Sequence, residues 1–435
     1  MLSPRSSLTV ALVAIAVSAT LAACGAPCQN IISAQRQIHD AKTGVPDGRP
    51  HAQLRLPHNR LNVLLQSAIE ADAIFVEVGL PDGLPLPKLL AEAHRIEVRA
   101  AEDGTLGFYT EVLLYFGETR LLALSATVDS RTETVFKDGQ ATLQIGFDGD
   151  SLRSVKPVYP TGAVDTVAAV IGPIIKAAGG RDIPGPLLRP IARRVMEFVT
   201  NNAFELIRDQ LLSRVGEVAA MNIDMGSAPI ERIETRTDRS EQPALVVDIF
   251  TTMPVHTGLS AQPATGDPIS GTGRLRIAGE AIAELGNWAI SEGLAPQAYD
   301  SKLRPDPNGA YVPVYAWREG NLPLVVHAYR IEPPCSTIVI GARPEVRVED
   351  GNITVAIVDG NVESVEGSSL VRLGVGLKNL FGGDIEKSET GAASAAFEVG
   401  GQRIRAELLE AKLENGELDL TVQLIPPPRN KVSVR

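Results

Sequence analysis

The side chains in this 435-residue sequence that could bind a metal, attack a carbonyl or shuttle a proton are six histidines, three cysteines and 52 carboxylates. His39, His51, His58, His94, His256 and His327 are scattered, and no two lie one helical turn apart. Neither a His-Glu-x-x-His zinc helix nor a Cys-x-x-Cys clamp is present. There is no Gly-x-Ser-x-Gly elbow to present a nucleophile and no Gly-x-x-x-x-Gly-Lys-Ser/Thr loop to cradle phosphate. Gly374-Val375-Gly376 lacks the third glycine of a nucleotide turn and stands among strand-like segments, where a bent strand is the plain alternative. The carboxylate pairs Glu349/Asp350 and Glu407/Glu410 sit beside turns or on polar strand faces, where charge is ordinarily solvated, and a glycosidase-like pair needs a separation that sequence does not supply. Nothing here asks for an enzyme, a metal or a cofactor.

One cysteine does imply chemistry. Cys24 is preceded by a single positive charge at Arg5, an uncharged apolar run from Leu8 to Val17, and small residues leading into Leu21-Ala22-Ala23-Cys24, the layout of an export signal. Ser18 and Thr20 break the run before it reaches the ~20 apolar residues that a membrane-crossing helix needs. Leu-Ala-Ala-Cys resembles the lipobox of bacterial lipoproteins, which implies diacylglycerol on the thiol, removal of residues 1–23 and acylation of the new amino terminus. An ordinary signal cut after Ala23 is the alternative. Several acyl chains, each stabilised by ~0.8 kcal/mol per buried methylene, anchor a protein almost permanently. Gly25, where enterobacterial sorting would read Asp as retention, points to the outer membrane, with the protein facing the periplasm or the cell surface.

Removing residues 1–23 takes away Arg5 alone among the charged groups, leaving 40 basic and 52 acidic residues and a formal charge of −12. That balance disfavours nucleic acid or an anionic membrane surface as the main partner. With Cys24 assigned to lipid, Cys28 and Cys335 remain, and an oxidising compartment favours a disulfide between them; two separate thiols are the alternative.

The elements that would position any site fall into two similar halves. Residues 24–50, with Gly44, Pro46, Gly48 and Pro50, read as a tether, and the similar composition of 257–273 reads as a linker. The expected domains are therefore 51–256 and 274–428, followed by a tail at 429–435. Both begin alike: Leu54-Arg55-Leu56 matches Leu275-Arg276-Ile277. At the same offset of 221 residues Leu61 matches Ile282, Leu64 matches Leu285, Ala68 matches Ala289 and Ile69 matches Ile290. Two amphipathic helices would align some apolar positions by period alone, but the ungapped prefix favours duplication.

After the first helix, alternation over Arg95–Ala100, Leu106–Phe116, Leu121–Val128 and Ala141–Phe147, punctuated by Asp103-Gly104 and Asp138-Gly139, predicts an antiparallel meander with one face in water. Helices are predicted at Ala163–Ala178, interrupted by Gly172-Pro173, and at Ile191–Val215, with Val195, Val199 and Leu206 on one side. The second half opens with a helix over Gly279–Glu292 and continues in strands, with turns at Asp350-Gly351 and Asn415-Gly416.

This order of elements over residues 51–425 resembles the tubular lipid-binding superfamily, which includes bactericidal/permeability-increasing protein and the plasma lipid transfer proteins. The likeness is carried by Leu54-Arg55-Leu56 running into the helix at Leu61, by Ala278–Gly293, and by the hairpin Pro344–Val362. It implies an α+β fold of two related domains, each a twisted antiparallel sheet wrapped around a long helix, with an apolar groove for acyl chains or a sterol-like ligand.

The implied lining residues are Leu61, Leu64, Ala68, Val195, Val199, Leu206, Ile282, Leu285 and Ile290. Aromatic residues are only 4% of the chain, which suits a flexible apolar ligand better than a stacked planar one. The same positions could instead pack as solid core, and Ala163–Ala178 could be a flap, a membrane-touching segment or a buried cap. No cysteine lies between Cys28 and Cys335, so the first-domain disulfide of the animal proteins is absent; those that bind lipopolysaccharide are basic where this chain is acidic, and endotoxin binding is not implied. The expected function is that of a membrane-anchored lipid-binding or lipid-transfer lipoprotein, with a scaffold binding another envelope protein as the alternative.

Overall fold

The computed structural model describes residues 46–71, 75–78, 89–100, 105–117, 119–137, 140–147, 154–179, 183–224, 229–240, 242–260, 271–300, 304–332, 335–349, 352–367, 387–392, 394–399 and 402–426. The first half runs β1 (Ala52–Pro57), α1 (His58–Ala71), β2 (Phe75–Val78), β3 (Leu89–Ala100), β4 (Leu106–Phe116), β5 (Thr119–Lys137), β6 (Gln140–Phe147) and β7 (Ser154–Val158). A helical pair follows, α2 (Ala163–Gly179) and α3 (Gly185–Ala219), and then β8 (Met221–Asp224), β9 (Ile230–Asp238) and β10 (Ala244–Thr251). The second half has β11 (Gly273–Ala278), α4 (Gly279–Ser291), β12 (Tyr311–Trp317), β13 (Leu324–Arg330), β14 (Ser336–Glu349), β15 (Asn352–Gly367), β16 (Lys387–Ala392), β17 (Ser394–Val399), β18 (Gln402–Glu414) and β19 (Glu417–Ile425).

Period-two alternation accounts for most of these strands. Leu89, Ala91, Ala93, Ile96 and Val98 of β3 are buried, with the switch of phase after Ala93 falling where the pairing to β4 slips by one residue. The β18–β19 hairpin closes at Asn415-Gly416, both in the left-handed region with φ of 52° and 76°, as a two-residue type I′ turn requires.

Fourteen strands form one sheet in the order β2-β3-β4-β5-β6-β8-β17-β18-β19-β11-β1-β10-β9, with β7 paired to β5 off this path. The sheet runs through strands from both sides of residues 257–273. Toward its β9 edge, β1 pairs antiparallel with β11, and Leu54 faces Leu275. These are the two residues equated by the sequence repeat, so the duplicated strands are related by a local two-fold at that pair. The outer edge β9 curls back against β5. A second sheet, β12-β13-β14-β15-β16, packs on the first where β14 meets β18.

The expectation of an α+β fold with a sheet wrapped around a long helix in each half is overturned. The described chain is mostly antiparallel strand, one curled sheet spans both halves, and the helix of the second half is only the 13-residue α4. The physical reason lies at β11, which bonds β1 on one side and β19 on the other and so continues the first half's sheet. Repeated strands that carry the same pattern pair with each other as readily as with their own half.

The main apolar cluster fills the inside of the curl. It draws on α1 (Leu61, Leu64, Leu65, Ala68), on β3 to β6, on β10 (Leu245, Val247, Ile249) and on β17 to β19 (Val399, Ile404, Leu424). Helix α1 is pinned at both sides: Asn62 Oδ1 accepts from the Val98 amide (2.6 Å), and Arg60 Nε donates to the Leu424 carbonyl (3.0 Å).

Candidate functional site

The α2–α3 pair forms a roof packed over β2, β3, β5 and β6 and against α1. Helix α2 is apolar around most of its circumference, yet only Ala163, Val167, Ala168 and Ile171 are fully buried, all within the main cluster. Helix α3 contributes Ala192 and Met196 from its first half and Val215 and Ala219 from its end. The helices meet at Gly172, where an added Cβ would lie 3.2 Å from Leu188 Cδ1, and Pro173 follows inside α2. Arg189 Nε donates to Asp165 Oδ1 (2.7 Å), an exposed tie between them.

The outward side of α3 is mixed. Leu187 (61% exposed), Ile191 and Phe198 (40%) stand at helical spacing on one face, with Arg194 between Ile191 and Phe198 on that face and Arg189, Arg193 and Glu197 exposed around it. Exposed apolar residues scattered singly are ordinary, but three on one face of a roof helix make a surface suited to contact.

Of the sequence-implied lining residues, Leu61, Leu64 and Ala68 are fully buried in the main cluster and Val195 packs against it, half-buried. The side chains of Val199 and Leu206 lie outside the described residues. The second-half positions are elsewhere. Leu285 joins a separate small core of Met253, Val255, Leu259, Ala278 and Ala281, while Ile282 and Ile290 are half-buried and belong to neither cluster.

Helix α4 instead seats β12: Asn287 Nδ2 donates to the Tyr315 carbonyl (2.9 Å) and its Oδ1 accepts from the Tyr315 amide (2.8 Å), replacing a strand partner. A Cβ on Gly279 would collide with the Trp317 indole, which fixes α4 against the same strand. Of the roof residues, Val167 and Ile171 lie in the Ala163–Ala178 segment that the sequence marks as a flap, a membrane-touching segment or a buried cap, whereas Ala192 and Met196 are not marked by sequence, because a core position and a roof position carry the same apolar pattern.

Two histidines are buried at the two ends of β1. His51 Nδ1 lies 2.8 Å from the Thr251 hydroxyl and accepts from the Thr251 amide, and burial lowers its pKa. His58, the first residue of α1, is pushed down to about 4 by burial, against an opposing pull from Asp238. Both are neutral at pH 7. Among the described residues no three His, Cys, Asp or Glu side chains converge on a metal-sized site, and no helix is long and apolar enough to cross a membrane.

Cys335 is half-buried and disulfide-bonded. Cys24 and Cys28 lie outside the described residues.

No protein-family model matches the chain, and no curated protein does. Among solved structures, P47 of Clostridium botulinum E1 is similar over 86% of this chain and 98% of its own, at 9% identity and a TM-score of 0.42. P47 from Clostridium botulinum A2 covers 86% and 97%, at 10% identity and 0.35. A lipopolysaccharide binding protein covers 87% and 100%, at 10% identity and 0.22. At these scores the likenesses assign no functional residue to this chain.

Proposed function

We propose that this protein is a lipid-anchored envelope protein that takes the acyl chains of a phospholipid or fatty acid, or a sterol-like molecule, into the interior of its curled sheet, and that it is not an enzyme. The observation that carries the reading is the roof. An α-helical hairpin, whose first helix runs unbroken through the Gly172-Pro173 pair expected to interrupt it, closes a largely apolar interior through a few side chains and presents Leu187, Ile191 and Phe198 outward. A carrier needs both surfaces, one to shelter its cargo and one to meet the bilayer. An acyl chain of ~16 carbons costs on the order of 12 kcal/mol to expose to water, at ~0.8 kcal/mol per methylene.

In this reading Cys24 carries the lipid anchor, Cys28 pairs with Cys335, and the protein faces the periplasm or the cell surface from the outer membrane. The pairing would hold the second half close to the anchor. The exposed stripe Leu187, Ile191 and Phe198 favours a second reading, in which α3 binds another envelope protein and the interior stays a solid core.

Native mass spectrometry of protein purified without detergent, followed by lipid extraction, separates the two. A retained non-covalent lipid mass supports the carrier. Protein that is always empty and takes up no fluorescent lipid rules it out, and a stoichiometric protein partner on the empty form supports the scaffold.

A further inference from the structure

Arg49, Arg55, Arg236, Arg274 and Arg276 are distributed over more than 220 residues of chain, yet all five line one cavity of about 500 Å³ on the outer face of the large sheet. Pairing of β9, β10, β1 and β11 brings four of them together. Alternation turns them away from the face that carries Leu54, Leu245 and Val247. Arg49 arrives from the segment before β1, where Gly258 lets the chain pass: a Cβ there would lie 2.6 Å from the Arg49 carbonyl oxygen.

Each guanidinium is already held by a carboxylate. Arg55 pairs with Asp238 (2.8 Å), Arg236 with Asp248 (2.9 Å), Arg274 with Asp419 and Arg276 with Glu417, and Arg49 Nε donates to Asp47 (2.7 Å). Arg49 and Arg236 keep N–H donors beyond their carboxylate bonds, because a guanidinium has five and a facing carboxylate takes two at best, whereas Arg55 also donates to the Ser240 hydroxyl and the Gln242 carbonyl, and Arg276 to Ser260. Of the five carboxylates, only Asp238 is among the lining residues; Asp248 and Glu417 are buried beneath at 8% exposure. The cavity wall is therefore rich in donors and poor in acceptors, and Ser240 and Ser260 add hydroxyls.

We infer that this cavity binds a phosphate-class oxyanion, a phosphomonoester or diphosphate, supplied either free or as a lipid headgroup. Tetrahedral oxyanions match the fork geometry of several arginines at once, and the space holds a headgroup, with Pro50, Val246 and Leu259 as the apolar part of its wall. The five paired carboxylates balance the five arginines in formal charge, so binding rests on several N–H donors converging on one anion rather than on a net positive field. The site lies on the opposite face of the sheet from the apolar interior and does not depend on the lipid-carrier reading.

Thermal-shift and calorimetric titration of the full chain with pyrophosphate, at ionic strength matched with sodium chloride, tests this. Saturable binding that weakens at least tenfold in Arg236→Gln and in Arg49→Gln, with circular dichroism unchanged, is expected. Should either variant misfold, the wild-type protein answers alone: pyrophosphate should protect these arginines from phenylglyoxal, mapped by peptide mass spectrometry. Dihexanoyl phosphatidic acid in a parallel titration separates the sources. Tenfold tighter binding than pyrophosphate marks a lipid headgroup, and weaker binding marks a free phosphate. Binding no better than chloride, or the absence of protection at any of the five arginines, overturns the inference.

Discussion

The Thr235 hydroxyl on β9 donates to that of Thr132 on β5 across 3.2 Å, joining the free edge of the fourteen-stranded sheet to a strand near its other end. This contact marks the seam at which the curl comes back on itself. It is exposed and contributes little alone, since an exposed hydrogen bond exchanges with water at small net gain. Ile233, two residues along the same inner-facing side of β9, packs on the main cluster instead. Urea denaturation should therefore find Thr235→Val within about 0.5 kcal/mol of wild type and Ile233→Ala destabilised by about 1–3 kcal/mol. The reverse ranking would mean that hydrogen bonding, not apolar contact, closes the sheet.

The buried pair Arg276–Glu417 locks β11 to β19, and Glu417 Oε1 also accepts from the Ser260 amide (2.5 Å), drawing the chain before residue 261 onto the sheet. Removing one charge strands the other in a poorly solvated place. Glu417→Gln should cost about 3 kcal/mol of unfolding free energy, whereas the double change Arg276→Met, Glu417→Leu should recover most of it. Equal losses in both variants would show that the pair is worth its full Coulomb attraction.

Burial holds His58 at about 4, below its ordinary 6.5, so the folded state binds fewer protons than the unfolded chain between those values. Its contribution is present above pH 6.5 and is lost as the pH falls toward 4. The stability lost over that window is at most about 3 kcal/mol. The lowered pKa of His51 acts in the same direction. Urea midpoints measured at pH 7 and pH 5 should fall on acidification, and by distinctly less in His58→Gln. An unchanged slope in that variant would place the proton uptake elsewhere.

Local structure was legible wherever a period repeats. The Leu54-Arg55-Leu56 and Leu275-Arg276-Ile277 prefixes are strands β1 and β11, each running into a helix, and Ala163–Gly179, Gly185–Ala219 and Gly279–Ser291 are helical as the spacing indicates. What could not be read was which strand neighbours which. Leu54 opposite Leu275 and Glu398 opposite Asn222 are pairings made over long sequence separations, and alternation reports a strand's faces but not its edge partners. That gap produced the wrong fold class. It also hid the arginine cavity, since Arg49, Arg236 and Arg274 converge only once four strands are aligned. Ile282, Leu285 and Ile290 have the same apolar spacing as Leu61 and Leu64, yet α4 packs on β11 and β12, away from the main cluster.

Acyl-chain photocrosslinking tests the central claim most directly. A phospholipid carrying a diazirine on its acyl chain, offered in vesicles to the full chain, should on irradiation label inward-facing residues of the roof and sheet, among them Val167, Ile171, Met196 and Leu143. Label that is absent above a denatured control, or confined to the outward stripe Leu187, Ile191 and Phe198, would contradict a lipid held within the curled sheet.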